Sequence, residues 1–143
     1  MTEDQKVAYL AGLVDADGSI IMAKSKNSRY RHPAVIIANA SKSIMVWLEV
    51  NFGGVGWNNN ASKKNPKFRD CYFWRLVGTQ AVDLLKQIAP YLNEEMKTKR
   101  ANMLIARNIS RGGGRYTDAE REQKLQLERD FIATSRCPER WAA

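Results

Sequence analysis

The sequence predicts an α+β fold in which helices cover one face of an antiparallel sheet of four strands. Two observations carry this prediction. Helix-like and strand-like segments follow one another in the order helix, two strands, helix, two strands, then helices. Within each strand pair a polar segment separates the strands, and each helix has an apolar stripe at helical spacing. Antiparallel strand pairs bury one face against the core, so helices are needed on one side only.

The first predicted helix begins at Thr2, which forms a capping-box pattern with Gln5. The two side chains satisfy free backbone N–H groups of a starting helix. Apolar residues at helical spacing predict that the helix continues to about Val14. The next four residues, 15–18, have the composition of a turn. There Gly18 would adopt backbone angles costly for other residues, so that the chain reverses into a strand.

Strands and helices alternate along the rest of the chain. Apolar segments between polar ones predict strands at residues 19–26, 34–39, 55–60 and 69–77. Capping residues and helical spacing predict helices at residues 42–52, from Thr79 to Pro90, at 96–109, and from the capping box of Thr117 and Glu120 to about Thr134. No internal repeat is evident. We therefore expect one domain spanning residues 1–143, with a core at about 3–110 and a C-terminal helical extension at about 116–135.

The chain is basic, since 23 lysines and arginines against 15 acidic residues give a net charge of +8 and a pI near 9.7. This charge favours a polyanionic partner such as nucleic acid, although lysines that merely face solvent are the simpler alternative. Cys71 and Cys137 have no paired spacing, which fits neither a disulfide framework nor a zinc site and favours a reducing compartment. No apolar run approaches a membrane span and no signal-peptide pattern is present, so we expect a soluble protein without a membrane partner.

The segment from Tyr9 to Ile20 carries the strongest chemical signal. Asp15 and Asp17 are two carboxylates one residue apart at a predicted helix end, where their oxygens suit a hard divalent cation. The alternative is an Asp-x-Asp-Gly turn that only caps the helix or faces solvent. Small residues along the preceding helix, namely Ala11, Gly12 and Ala16, would let a second helix approach closely. If that second helix belonged to another copy of the chain, two aspartates would meet near the two-fold axis.

Residues 10–18 read LAGLVDADG and differ from the signature of the LAGLIDADG homing endonucleases only at Val14. The sequence resembles that family over residues 8–109, including the segments 39–44, 52–56, 90–92 and 97–102. The resemblance implies a saddle-shaped αββαββα fold whose concave sheet lies in the DNA major groove. One motif implies a homodimer that cuts both strands of a long pseudo-palindromic site and leaves short 3′ overhangs. It also implies an intron-encoded protein located wherever the host DNA lies, in a prokaryotic cytoplasm or an organelle.

The resemblance also implies roles for individual residues. Asp17 takes the metal-ligand position and the backbone carbonyl of Ala16 would be a second ligand. The metal is expected to be Mg²⁺, with Mn²⁺ or Ca²⁺ able to substitute for binding. Lys97 falls where an active-site lysine is often found, and Asn39, or alternatively Lys42, falls where a polar residue organises solvent. The less favoured alternative is that Lys97 is only a solvated lysine in the KTKR cluster. The expected dimer-interface residues are Leu10, Ala11, Gly12, Val14 and Asp15, of which Asp15 is more structural than catalytic.

Basic and amide side chains cluster in the two predicted strand pairs. Lysines there can replace phosphate counterions, while arginine and asparagine can contact base edges. The expected DNA-contacting residues are Lys24, Lys26, Asn27, Arg29, Arg31, Asn58, Asn60, Lys63, Lys64, Arg69 and Arg75, with Lys67 beside them. Alternation along residues 69–77 places Arg75 on the DNA side if Trp74 packs on the helices. Aromatic residues lie in the core more often than they stack on bases, so three of them are expected in the core, namely Trp57, Tyr72 and Trp74.

Two alternatives to cleavage stay open. One is an intron maturase acting on RNA, or another binding protein that kept the fold without nuclease activity. The presence of both Asp17 and Lys97 favours an active nuclease over this alternative. The other is a generic basic RNA-binding module, which would need no metal and no palindromic site, and the sequence has no recognisable RNA-binding motif to support it.

Overall fold

The computed structural model describes residues 1–111 and 114–135. The strands are β1 (Gly18–Ala23), β2 (His32–Asn39), β3 (Val55–Asn58) and β4 (Tyr72–Val77). The helices are α1 (Glu3–Asp17), α2 (Lys42–Phe52), α3 (Ala61–Lys64), α4 (Gly78–Ile88), α5 (Glu95–Arg107) and α6 (Asp118–Ala133), with a 3-10 turn at Ala89–Tyr91. The strands form one antiparallel sheet in the order β1-β2-β4-β3, which confirms the predicted α+β fold.

Two further expectations concern cysteine pairing and membrane-spanning helices. Cys137 lies outside the described residues, so the expectation about cysteine pairing stays a prediction. Among the helices within them, none has the length and hydropathy that crossing a membrane requires.

Helix α1 begins as predicted, and both hydrogen bonds of the Thr2–Gln5 capping box are present, at 2.8 and 3.1 Å. Its predicted end is wrong, because the helix continues through Asp17 and residues 15–17 form its last turn. Gly18 has an extended backbone with φ −94°, so it is not required for unusual backbone angles. A Cβ at this position would lie 2.6 Å from the Cα of Val14. Glycine is needed because β1 starts directly against the helix end.

The core lies between one face of the sheet and the helices that pack on it. Along β4, Trp74 and Leu76 are buried and Arg75 is exposed, which is the predicted alternation. The indole Nε1 of Trp74 donates to the carbonyl of Gly53 at 2.7 Å, so its polar atom is satisfied where α2 ends. The helices and strands contribute fully buried side chains including Leu10, Val14, Ile20, Val35, Ile37, Leu48, Leu85, Ile88 and Leu104.

The connection between β3 and β4 is more ordered than the predicted polar loop. It contains the short helix α3, and β4 begins at Tyr72 rather than at residue 69. The carboxylate of Asp70 accepts the backbone N–H of Ser62 at 2.8 Å and the side-chain amide of Asn58 at 3.2 Å. These hydrogen bonds join the end of the connection, at Asp70, to its beginning, at Asn58 and Ser62.

The C-terminal helix α6 packs beside α5, with Phe131 buried in the core. Arg100 of α5 donates to the Thr134 hydroxyl at 2.9 Å and to the Ile20 carbonyl at 3.4 Å. Arg31 donates to the Met22 carbonyl at 3.3 Å. Since β1 is an edge strand in the sheet that the described residues form, these two guanidinium groups protect it against pairing with other chains.

Replacing Phe131 by alanine should therefore destabilise the whole fold. The side chain is 4% exposed, and truncating a buried phenylalanine costs about 3 kcal/mol or more of unfolding free energy. The matched control is Phe68→Ala, whose side chain is 57% exposed and whose loss should cost no more than about 0.5 kcal/mol. Urea unfolding followed by circular dichroism measures both. Equal midpoints for the two variants would mean that α6 is not part of the folded core.

Candidate active site and nucleic-acid interface

Asp17 lies exposed at the end of α1, beside the end of β2. The side-chain amide of Asn39 donates to its carboxylate, with 2.8 Å between Nδ2 and Oδ2. The amide is held in this orientation because its Oδ1 accepts the backbone N–H of Ser41 at 2.8 Å. The structure therefore brings together two residues that the sequence placed in one site. Lys42, the alternative to Asn39, is exposed at the first residue of α2.

Lys97 lies in the first turn of α5, with its ammonium group at the C-terminal end of α1. Its Nζ donates to the carbonyls of Val14 at 2.8 Å and Asp15 at 2.7 Å. The Val14 carbonyl also accepts the backbone N–H of Gly18, whereas the Asp15 carbonyl belongs to the last turn, where carbonyls lack partners within the helix. A positive charge at this helix end is favoured by the helix dipole. Lys97 thus holds the backbone just before Asp17, and its described hydrogen bonds do not include the Asp17 carboxylate.

The carboxylate of Asp15 joins the same helix end to the start of α5. It accepts the backbone N–H groups of Asn93 at 2.9 Å and Glu94 at 3.1 Å. Glu94 in turn caps α5 by accepting the N–H groups of Met96 and Lys97. The hydrogen bond from the Lys97 backbone is the main reason that the pKa of Glu94 is lowered. These hydrogen bonds give Asp15 a structural part at the junction of α1 and α5, while its expected place in a dimer interface stays a prediction.

The outward face of α1 differs from the predicted dimer interface. Leu10, Ala11 and Val14 are fully buried in the core of their own chain, so a second copy cannot contact them. Their assignment to the interface is wrong because the helix uses that apolar stripe to pack on the sheet. The exposed stripe consists of small residues four apart, namely Ala8, Gly12 and Ala16. A Cβ built on Gly12 meets no atom within 4 Å, so the backbone there is open to close approach.

The face of the sheet that points away from the helices carries Arg75, which is exposed. On the same face, burial and the charge of Arg75 lower the pKa of His32, so its imidazole is neutral at pH 7. The connections at the two ends of the sheet supply most of the predicted basic residues. Among the residues predicted to contact DNA, the exposed ones in these connections are Lys24, Lys26, Asn27, Arg29, Asn60, Lys63, Lys64 and Arg69, with Lys67 beside them.

Three residues predicted to contact DNA are instead engaged within the chain. Arg31 is half-buried, and besides its bond to β1 its backbone N–H donates to Glu128 of α6. Asn58 bonds Asp70 through its Nδ2 and accepts the backbone N–H of Asn60 through its Oδ1. The side chain of Asn60 donates to the Asn58 carbonyl at 3.3 Å. These hydrogen bonds hold the connections in shape, and contact of the three residues with DNA stays a prediction.

An aromatic pair on the open face was missed by the sequence reasoning. Trp57, expected in the core, is 42% exposed and stacks on Phe73, with ring centroids 5.2 Å apart and planes 10° apart. The guanidinium carbon of Arg75 lies 5.7 Å from the Trp57 ring centroid. The signal in the sequence was the two-residue alternation of a strand, which places Trp57 on the opposite face of β3 from Gly56 and Asn58. Those two neighbours take the core side, where a Cβ at Gly56 would clash with the Glu49 side chain of α2.

Three solved structures are similar to the fold of this chain. The homing endonuclease I-CvuI, solved with a DNA target in the presence of Mg, has a TM-score of 0.58 at 18% identity, over 96% of this chain and 80% of that chain. The archaeal intron-encoded homing endonuclease I-Vdi141I, complexed with DNA, has a TM-score of 0.60 at 15% identity, over 94% and 86%. The LAGLIDADG homing endonuclease I-GzeII, in complex with its DNA target, has a TM-score of 0.50 at 16% identity, over 90% and 43%. The chain has the homing-endonuclease fold.

The homing-endonuclease fold is present here with little overall sequence similarity. No protein-family model and no curated protein matches the chain. The nine-residue motif at residues 10–18 forms the end of α1 and the start of β1.

The donor set at the end of α1 fits a hard cation but does not complete its shell. Asp17 offers exposed carboxylate oxygens, and the Ala16 carbonyl belongs to the last turn, where carbonyls lack partners within the helix. Such oxygen ligands suit Mg²⁺, which takes about six of them in octahedral geometry. Within residues 1–111 and 114–135 there is no cluster of three or more acidic, histidine or cysteine side chains. Further ligands would have to come from water, from a substrate or from a second copy.

Proposed function

We propose that this chain is a site-specific double-strand DNA endonuclease, a homing endonuclease that acts as a homodimer with a divalent metal. One observation carries the proposal: Asp17 is exposed at the end of a helix whose Ala8–Gly12–Ala16 stripe is open. Two such stripes related by a two-fold axis would bring the two Asp17 carboxylates to the middle of the assembly. Each copy would then supply metal ligands that the other copy lacks.

The roles of the chain's own residues follow from their contacts. Asp17 and the Ala16 carbonyl would hold Mg²⁺, with Mn²⁺ or Ca²⁺ as substitutes for binding. The bound metal would supply Lewis-acid stabilisation of phosphate oxygens and a lower pKa for the attacking water. Asn39 orients the Asp17 carboxylate through its 2.8 Å hydrogen bond. Lys97 fixes the preceding carbonyls and keeps one N–H of its ammonium group for a phosphate or a water molecule.

The open sheet face is the surface that we assign to DNA. Its exposed lysines at both ends would replace phosphate counterions, so binding should weaken steeply with salt. Arg75, exposed on β4, has the fork-shaped donor group that pairs with guanine in the major groove. The three similar structures contain DNA, which supports the same class of partner for this chain.

Incubating the chain with a randomised duplex library and Mg²⁺, then sequencing the ends of the products, tests this proposal. We expect both strands to be cut within one pseudo-palindromic site, with short 3′ overhangs, and no cutting when the metal is chelated. Sequence-specific binding without cleavage in Mg²⁺ or Mn²⁺ would instead favour the non-cleaving alternative. Preference for structured RNA over every duplex in the library would favour a maturase.

A further inference from the structure

The aromatic pair on the open sheet face, in which Trp57 is exposed and Phe73 is half-buried, is not explained by phosphate binding or by metal chemistry. Trp57 lies on the edge strand β3 and exposes 42% of its surface next to Val55, which is also exposed. Leaving apolar surface in water has a free-energy cost that burial would remove. Because Trp57 stacks on Phe73 and lies near the Arg75 guanidinium, the indole ring is held in one orientation. A fixed apolar surface of this kind suits a specific contact.

The strand register places this aromatic pair close to the candidate active site. Phe73 pairs with Ala38 on one side and with Trp57 on the other. Ala38 directly precedes Asn39, which contacts Asp17. Since neighbouring strands lie about 4.8 Å apart, Trp57 is about 10 Å from β2 across the sheet. A duplex lying on this face with its scissile phosphate at Asp17 would present to Trp57 a base pair a few steps from the cleavage point.

The chemistry of the major groove limits what the aromatic pair can contact there. Base faces are stacked inside a duplex, and the exposed edges carry hydrogen-bond donors and acceptors, except for one apolar group, the C5-methyl of thymine. The carbon surfaces of Trp57 and Phe73 offer no acceptor and match that methyl group. We propose that the Trp57–Phe73 pair contacts a thymine C5-methyl in each half-site and so determines base preference near the cleavage point. This inference rests on the proposed function, since it requires specific duplex binding.

A thymine-to-deoxyuridine scan tests the inference, because deoxyuridine keeps the base pair and removes only the methyl group. After the bound site is identified with the randomised library, each of its thymines is replaced in turn and affinity is measured in Ca²⁺. At one thymine per half-site we expect wild type to lose about fourfold in affinity, the effect of one buried methyl group. Trp57→Ala should bind the thymine and deoxyuridine duplexes equally at that position. Trp57→Thr, which suits an edge strand, is the second variant if alanine impairs folding.

Tyr91→Ala is the matched control, because Tyr91 is equally exposed at 42% but lies in the 3-10 turn of the helical layer. This variant should keep the wild-type ratio between thymine and deoxyuridine affinities. Specific binding by wild type with no sensitive thymine would overturn the inference and leave the proposed function standing. The same holds if Trp57→Ala keeps the discrimination, or loses affinity for single strands as much as for duplexes, since base stacking would then explain the pair. Absence of any specific duplex binding would overturn both proposals.

Discussion

Asp17→Asn is expected to lower the rate of DNA cleavage on the order of a thousandfold, because metal-assisted stabilisation worth several kcal/mol is lost and each 1.36 kcal/mol is tenfold. Asparagine has nearly the shape of aspartate and keeps an oxygen that can accept the Asn39 amide. The substitution therefore removes the negative charge with little change in the local hydrogen bonding. Affinity for the target duplex should be kept or slightly increased, since a carboxylate near the phosphates is gone. Single-turnover cleavage in Mg²⁺ and gel-shift affinity in Ca²⁺ separate the two effects.

Asp4→Asn is the matched control for this experiment. Asp4 is an exposed carboxylate in the first turn of the same helix, so the change removes the same charge at the opposite end. Its cleavage rate should stay within about twofold of wild type, since helix-dipole effects at an exposed end are below 1 kcal/mol. If Asp17→Asn cut as fast as Asp4→Asn, Asp17 would not be a metal ligand. Loss of binding by Asp17→Asn would mean that the residue shapes the fold rather than the chemistry.

The parts of the fold that local chemistry determines could be predicted from the sequence. The capping boxes at Thr2 and Thr117 join residues three apart and are both formed. Helix α2 has the predicted bounds because Ser41 caps its first turn and Gly53, with φ 75°, ends it. The alternation of Trp74 and Arg75 in β4 follows from the two-residue period of a strand. Each of these signals lies within a few residues of the feature that it predicts.

The features that were missed depend on contacts far along the chain. Helix α1 continues past Val14 because its end is held by Lys97 and by the Asp15 contacts to Asn93 and Glu94, roughly eighty positions later. Nothing in residues 15–18 distinguishes this helix end from a turn. Trp57 was expected inside because aromatic residues of this kind lie in the core more often than on bases, but close packing of α2 over Gly56 leaves the core side of β3 without room for a large side chain.

Charge and residue type also did not show which of the expected DNA-contacting side chains form hydrogen bonds within their own chain. By charge and residue type alone, Arg31 and Arg75 were both expected to contact DNA, yet Arg31 bonds the edge strand and α6 while Arg75 is exposed on the open face of the sheet. In the same way, Asn58 and Asn60 are used inside the β3–β4 connection. Such roles follow from the sheet order β1-β2-β4-β3, which the local pattern of strands does not specify.

Gly12→Leu is expected to separate folding of the chain from its assembly. A Cβ at this position meets no atom within 4 Å outside its own helix backbone and chain neighbours, and replacing an exposed helical glycine stabilises a helix by roughly 0.5–1 kcal/mol. The folded chain should therefore keep its circular dichroism spectrum and melt at the wild-type temperature or above it. If two copies meet along the Ala8–Gly12–Ala16 stripe, however, the leucine side chain stands between the two helix backbones. The same change should then abolish the dimer.

Light scattering and cleavage assays on the same variant give the decisive comparison. Losing the second half-site contact should weaken target binding about a hundredfold or more, because simultaneous binding of two linked sites contributes factors of that order. Gln87→Leu, an equally apolar change at an exposed position of α4, should leave mass, affinity and cleavage unchanged. A Gly12→Leu protein that remained dimeric and active would refute assembly through this stripe while leaving Asp17 as a candidate ligand. A folded monomer that binds one half-site without cutting would show that the Asp17 of a single chain is not enough.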